Sequence, residues 1–210
     1  MKKYCLSAMV LCFSFLVFAQ EVNKEAVVNN PIVEGKGATW MAMNPGETPD
    51  TAEAPVCDVG LVGITGSINM TQAHVFLIGV TAADFGASTV NTPGTLADTM
   101  LALFDADGNG VYFDDDAEKG GTFRSRLPVG HPLGPQADGC YYLAITGFAR
   151  HPSGDGGLIW NPTPFNVVRA PDGPGAPGPL TGFTGSHGGG SYTIQLTGAD
   201  CSCAPAKPKN

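Results

Sequence analysis

The chain has 210 residues, a net charge of −8 at pH 7, 29 glycines and 17 prolines. An acidic chain repels phosphate, so we expect no nucleic-acid partner. The many glycines and prolines exclude long helices, and no segment after the first 19 residues approaches the roughly 18 consecutive apolar residues that a membrane span requires. We therefore expect no membrane span.

The first 19 residues have the organisation of a secretory signal peptide. Lys2 and Lys3 precede an apolar run, and this run ends in the sequence Val-Phe-Ala, which provides a small residue before a cleavage site. We predict cleavage after Ala19. The protein is then expected outside the cytoplasm, as a secreted, extracellular or periplasmic protein.

Residues 20–56 are polar and contain several prolines, apart from the apolar sequence TWMAM at residues 39–43. We interpret this segment as an N-terminal linker, largely irregular, with at most one short extended piece. The composition changes at Cys57. The sequence therefore predicts one folded domain over residues 57–204, followed by a short tail over residues 205–210.

Five runs rich in β-branched and aromatic residues follow: GLVGITGSI, AHVFLIGVTA, TMLALFD, GCYYLAITGF and GSYTIQLTG. Runs of this kind, separated by Gly, Pro, Asn and Asp, are typical of strands joined by turns. Only residues 96–104 also fit a helical period, and we favour a strand there because the run is short and enters a glycine-bearing turn. The pattern predicts an all-β protein, an antiparallel β-sandwich of jelly-roll-like type.

The stretch FDADGNGVYFDDD, residues 104–116, holds five aspartates. Counted from Asp105, it offers oxygen ligands at the first, third, fifth and twelfth positions and glycine at the sixth, a spacing that suits a Ca²⁺ loop. The alternative is an acidic turn whose partners are water and sodium. The predicted calcium ligands are Asp105, Asp107, Asn109, Asp114, Asp116 and the backbone carbonyl of Val111.

Residues 148–190 are dominated by Gly and Pro and predict a long irregular loop, of a length that is often functional or mobile. Trp160 lies within it, in the sequence GLIWNPTPF. This residue is either a platform that contacts a ligand or a side chain that packs the loop onto the sandwich.

Four cysteines remain after removal of the leader, and an even number in an exported chain favours disulfides. Cys57 opens the first strand, whereas Cys201 and Cys203 follow the last one. We expect Cys57 to bond to one of these two and Cys140 to bond to the other. A bond between Cys201 and Cys203 would span a single residue and be strained.

The segments DTMLALFDADGNGVYFDDD, SRLP, GCYYLAITGF and GSYTIQLTGA together resemble the bacterial pre-peptidase C-terminal-like (PPC-like) β-sandwich domains of exported and surface proteins, including the variants of planctomycete-type secretomes. The resemblance covers roughly residues 57–199. It implies a domain that binds, tethers or assists other proteins rather than one that catalyses a reaction.

The sequence contains neither a GxSxG elbow nor an HExxH motif, and we interpret His131, His151 and His187 as residues of flexible loops. We therefore predict no catalysis. The preferred function is a secreted calcium-binding module that binds an extracellular protein or glycan. One alternative is a structural or accessory domain stabilised by calcium, and a second is a hydrolase with an unrecognised loop site.

Overall fold

The computed structural model describes residues 37–117 and 121–204. The predicted signal peptide, residues 20–36 of the predicted linker and the predicted tail from residue 205 onward lie outside the described residues. Within the described ranges, no helix has the length and apolar character needed to cross a membrane.

Short strands and one turn of 3₁₀ helix make up the regular structure of the described chain. In order they are β1 (Ala38–Met41), the 3₁₀ helix (Pro49–Thr51), β2 (Leu61–Ile68), β3 (His74–Val80), β4 (Gly86–Ser88), β5 (Thr99–Phe104), β6 (Gly110–Asp114), β7 (Arg126–Leu127), β8 (Gly139–Gly147), β9 (His151–Gly154), β10 (Gly157–Leu158), β11 (Gly182–Thr184), β12 (Gly190–Thr197) and β13 (Ala199–Asp200). The predicted all-β class is confirmed, and residues 96–104 contribute a strand rather than a helix.

The strands form three sheets. The first sheet has the order β1-β2-β12-β4-β7, the second has the order β13-β3-β8-β5-β6, and a small third sheet has the order β10-β9-β11. The main pairs are nested and antiparallel: β5 with β6, β4 with β7, β3 with β8, and β2 with β12. Successive pairs fall in alternate sheets, which is the order of a jelly roll. The predicted antiparallel, jelly-roll-like sandwich is confirmed.

The second sheet is buried on both faces, as β5 shows. All six residues of β5 are buried. Because side chains alternate across a strand, Leu101 and Leu103 enter the core between the two large sheets, whereas Met100 and Phe104 enter a second apolar cluster on the opposite face. The run TMLALF therefore has no polar alternation, since neither face of the strand meets water.

The Gly/Pro-rich segment provides the cover for this second apolar cluster. Ile159, Trp160 and Leu180 are buried in it, and the third sheet is formed by residues of the same segment. The prediction of an irregular loop over residues 148–190 is therefore wrong in part. The strand sequences HPSG, GL and GFT are short and contain Gly or Pro, which are depleted in strands, so only their pairing reveals them.

Residues 37–56 belong to the folded domain, which corrects the prediction of a linker that extends to residue 56. β1 lies at the edge of the first sheet, parallel to β2. The indole N–H of Trp40 donates to Oε1 of Glu53 (2.6 Å), and the backbone of Glu53 bonds to Val75 and Leu77. Pairing with strands far along the chain thus orders this polar segment. The short extended piece that the sequence predicted is confirmed as β1.

Two disulfides join the ends of the sandwich, and the expected pattern is confirmed. Cys57 bonds to Cys201, and Cys140 bonds to Cys203. The choice follows from the sheet, because β13 pairs with β3 and brings the C-terminal cysteines beside β8, where Cys140 lies opposite Gly79. Both bonds are compatible with an oxidising compartment.

Candidate functional site

The acidic turn between β5 and β6 satisfies its own hydrogen bonds. Oδ1 of Asp105 accepts from the backbone N–H of Asp107 (3.0 Å) and of Asn109 (2.9 Å). The side-chain amide of Asn109 also donates to both carboxylate oxygens of Asp105, at 3.3 Å. The first of the predicted calcium ligands is therefore already engaged within the turn, in the manner of an Asx turn. These contacts fit the alternative of an acidic turn.

The predicted calcium ligands do not lie in one place, which corrects the predicted site. At about 3.3 Å per residue, β6 carries the chain about 13 Å from Gly110 to Asp114. There, Oδ2 of Asp114 accepts from the backbone N–H of Arg126 (2.6 Å). Calcium–oxygen distances are about 2.3–2.6 Å, so one ion cannot contact both ends of β6. The predicted set is divided between the turn (Asp105, Asp107, Asn109), the strand (Val111) and its far end (Asp114, Asp116).

Three carboxylates meet at the end of the second sheet that lies away from the acidic turn. Oxygens of Asp98, Asp115 and Asp116 lie within 4.8 Å of one another. Asp98 directly precedes β5, whereas Asp115 and Asp116 directly follow β6. Because these two strands are paired antiparallel, the start of one meets the end of the other. Of the predicted calcium ligands, only Asp116 belongs to this cluster.

A cavity of about 130 Å³ opens at the three carboxylates. Its apolar wall consists of three phenylalanines that are exposed to different degrees: 65% for Phe123, 37% for Phe148 and 40% for Phe165. We call these three side chains the phenylalanine rim. The residues that line the cavity are Asp98, Asp115, Asp116, Phe123, Phe148 and Phe165.

Backbone hydrogen bonds fix the phenylalanine rim to the segments that carry the carboxylates. The N–H of Phe148 donates to the carbonyl of Asp98 (3.3 Å), and the N–H of Asp116 donates to the carbonyl of Phe165 (3.0 Å). The rings of Phe148 and Phe165 meet edge to face, with centroids 5.5 Å apart. Rim and carboxylates therefore form one unit.

The carboxylates of the cavity hold their protons more tightly than ordinary aspartates do. Burial, and after it the neighbouring charges of Asp116, Asp98 and Asp114, raise the pKa of Asp115 to about 8. Burial and the charge of Asp116 raise the pKa of Asp98 to about 6. Burial also raises the pKa of Asp116. The site therefore disfavours three negative charges unless a cation is present.

Cationic side chains of the described residues form no ion pair with these carboxylates. The positive charge of Arg169 lowers the pKa of Asp115, but its guanidinium donates to Oδ2 of Asp172 (3.0 Å) and to two backbone carbonyls instead. One oxygen of Asp115 and one of Asp98 are buried without a hydrogen-bond partner. The cavity thus places carboxyl groups without a cationic partner beside an apolar wall.

Trp160 is fully buried, which corrects the interpretation of this residue as a ligand contact. Its ring packs against Phe104 and Phe113, with centroids 5.5 and 5.3 Å away. Its indole N–H donates to the carbonyl of Arg169 (3.3 Å). These contacts agree with the other alternative, a side chain that packs its segment onto the sandwich.

The histidines are not all loop residues, which corrects another prediction. His151 lies in β9 and is buried, and so is His187. The ring nitrogens of His187 lie 2.6 and 2.8 Å from two backbone carbonyl oxygens. In residues 37–117 and 121–204, no histidine nitrogen is hydrogen-bonded to a Ser, Thr or Cys side chain.

No protein-family model matches the chain, and no curated protein matches it with a significant score. The resemblance to PPC-like domains therefore stays a prediction. The geometry of the cavity is what bears on function.

Proposed function

We propose that this chain is an exported, non-catalytic module that binds an extracellular protein or glycan through the phenylalanine rim. The observation that carries this proposal is the convergence of Phe123, Phe148 and Phe165 on one cavity with carboxylates at its floor. Clustered exposed apolar side chains mark interaction sites more often than scattered ones do. A partner that covers the rim removes this apolar area from water, at about 25 cal/mol per Å².

The proposed location is extracellular or periplasmic. Two disulfides are compatible with such compartments, because thiols stay reduced in the cytosol. The predicted signal peptide over residues 1–19 supports export as well. A binding module in these compartments also gains from covalent bonds that hold its ends together.

The absence of catalysis belongs to the same proposal. Carboxylates with raised pKa values also occur in active sites, so the cavity by itself does not separate binding from hydrolysis. What favours binding is the histidine chemistry of the described residues, since none of the rings is hydrogen-bonded to a Ser, Thr or Cys side chain that it could activate as a nucleophile. A hydrolase and a purely structural domain are the two alternatives.

A binding screen on the chain from residue 20 to residue 210 tests the proposal. Glycan and protein arrays are probed with the wild-type chain, and any hit is measured again in solution. We expect Phe123→Ala and Phe165→Ala to weaken binding to that hit. Val59→Ala is the matched control, because Val59 is 47% exposed and precedes β2, away from the cavity.

Three results would contradict the proposal. Binding that survives both phenylalanine substitutions but is lost in the control would move the contact surface elsewhere. Turnover of an array substrate that Asp116→Asn abolishes would identify a hydrolase. Arrays without any reproducible hit would favour the structural alternative.

A further inference from the structure

The floor of the cavity carries three carboxylates that form no ion pair with the cationic side chains of residues 37–117 and 121–204. We infer that Asp98, Asp115 and Asp116 bind a divalent cation, and that this cation is calcium. Ion binding needs no macromolecular ligand, so the inference goes beyond the proposed function and stands or falls independently of it.

The burial of Asp115 is the observation that points to a ligand. The residue lines the cavity, it is only 2% exposed, and its Oδ1 atom has no hydrogen-bond partner. A buried carboxylate in this condition is costly, because it has lost water without gaining a donor or a counter-charge. Oδ1 of Asp98 is buried and unpartnered in the same way. One cation between these side chains would provide a partner for both unpartnered oxygens.

The spacing of the oxygens agrees with a calcium ion. The three ligand atoms lie within 4.8 Å of one another. Two oxygens on opposite sides of calcium lie about 4.6–5.2 Å apart, because each bond is about 2.3–2.6 Å long. Magnesium also fits this upper bound, but it demands a near-ideal octahedron, whereas calcium accepts irregular sets of about six to eight oxygens. The cluster therefore lies within the span of calcium ligands.

The cavity has room for the remaining ligands. Calcium takes about six to eight oxygens, and three carboxylates supply between three and six of them. The space open to the centre of a water molecule is about 130 Å³, and one water needs about 10–15 Å³ of such space, so the cavity accommodates an ion with several waters. Carboxylates and cavity water together can complete the coordination.

A cation at this position would join two separate parts of the second sheet. Asp98 directly precedes β5 and Asp115 directly follows β6. The ion would therefore link the two strands at the end of the pair where no turn connects them. The unfolded chain does not bring these residues together, and binding to the native state alone raises the melting temperature. The effect on stability is thus the direct readout of the site.

The same carboxylates could attract an organic ammonium ion, because aromatic rings also favour cations through their faces. Calcium is favoured because three clustered carboxylates, of which Asp115 is buried, call for more than one positive charge. Methylammonium is therefore included as a competing probe.

The experiment measures thermal unfolding of the disulfide-intact chain from residue 20 to residue 210 at neutral pH. The protein is first treated with chelator and then titrated with calcium chloride to about 10 mM, since extracellular calcium sites have dissociation constants on the order of 10⁻⁴–10⁻³ M. We expect the melting temperature to rise with calcium. Equilibrium dialysis should find one calcium per chain.

Two substitutions in the cluster and one in the acidic turn separate this site from the one that the sequence predicted. Asp115→Asn and Asp116→Asn should remove the calcium-dependent shift. Asp107→Asn is the matched control and should keep it, because Asp107 lies in the turn at the other end of β6. In chelator, Asp115→Asn should melt at or above the wild-type temperature, which would show that the variant folds.

Three results would overturn the inference. The first is a wild-type melting temperature that does not change up to the highest calcium concentration. The second is a calcium shift that survives Asp115→Asn and Asp116→Asn but disappears in Asp107→Asn. The third is stabilisation by methylammonium with none by calcium. None of these depends on whether an array finds a macromolecular ligand.

Discussion

The indole of Trp160 stacks on the ring of Phe113, with centroids 5.3 Å apart and ring planes 22° apart. The contact joins the Gly/Pro-rich segment to β6, and it is completely removed from water. The tryptophan therefore fastens the cover of the second sheet to the strand that leads to the carboxylate cluster.

Trp160→Ala should destabilise the fold by roughly 3 to 5 kcal/mol, because it leaves a cavity between the cover and the second sheet. Urea unfolding measures this change. Phe123→Ala serves as the control and should change stability little, since that ring is 65% exposed. Equal stability of the Trp160 variant and the wild type would show that the cover packs in another way.

Gly110→Ala should also destabilise the fold, for a reason unrelated to calcium. A Cβ atom at this position would lie 2.8 Å from the ring of Trp160 and 2.8 Å from Pro171. Overpacking of this kind costs about 1 to 3 kcal/mol. Gly182→Ala is the control, because a Cβ there meets nothing within 4 Å. A melting temperature that falls equally in both variants would point to a general strand effect instead.

Loss of the Cys57–Cys201 bond should cost about 4 to 5 kcal/mol in the chain-entropy model, since the bond closes a loop of 144 residues. The change is Cys57→Ser combined with Cys201→Ser, and urea unfolding measures it. Peptide mapping without reductant should still find Cys140 bonded to Cys203. Free thiols at Cys140 and Cys203, or an unchanged stability, would contradict the prediction.

His74 should make the protein sensitive to acid. Burial lowers the pKa of His74 from 6.5 to about 4, and Nδ1 lies 2.7 Å from the hydroxyl of Tyr192. The unfolded chain binds a proton at higher pH than the folded one, so this stabilisation is complete above pH 6.5 and is lost as the pH falls towards 4. The loss amounts to about 3 kcal/mol.

Unfolding free energies measured across this pH range provide the test. His74→Gln cannot titrate, so its stability should fall less with acid than that of the wild type, whatever its starting value. His131→Gln is the control, since His131 is only partly buried in the loop between β7 and β8. Parallel pH curves for the His74 variant and the wild type would show that another group controls acid unfolding.

Local patterns in the sequence were sufficient for most of the sandwich. The β-branched runs become strands β2, β3, β5, β8 and β12, because such side chains suit a pleated sheet wherever it lies in the fold. The disulfide pattern also followed, since cysteines at the two ends of a sandwich can approach one another. Both inferences need only short-range information or the proximity of the chain ends.

The carboxylate cluster could not be predicted in the same way. Asp98 and Asp115 are brought together by the antiparallel pairing of β5 and β6, and the spacing of residues within the acidic turn does not indicate this pairing.

The sequence did contain a signal for the segment that covers the second sheet. A strand whose six residues are all apolar or small needs protein on both faces, so TMLALF already required a covering segment that holds a residue such as Trp160.

The bond between Cys57 and Cys201 also determines how the module would respond to mechanical load. Tension applied through the two ends of the chain would pass from one cysteine to the other through sulfur, and the residues between them would not be stretched. The loop between the two cysteines has a contour length on the order of 500 Å, at about 3.5 Å per extended residue, and the disulfide prevents tension from extending it. The segment before Cys57, with β1 at the sheet edge, could still be peeled away. The part of the chain between the two cysteines would therefore not lengthen under force while the bond is intact.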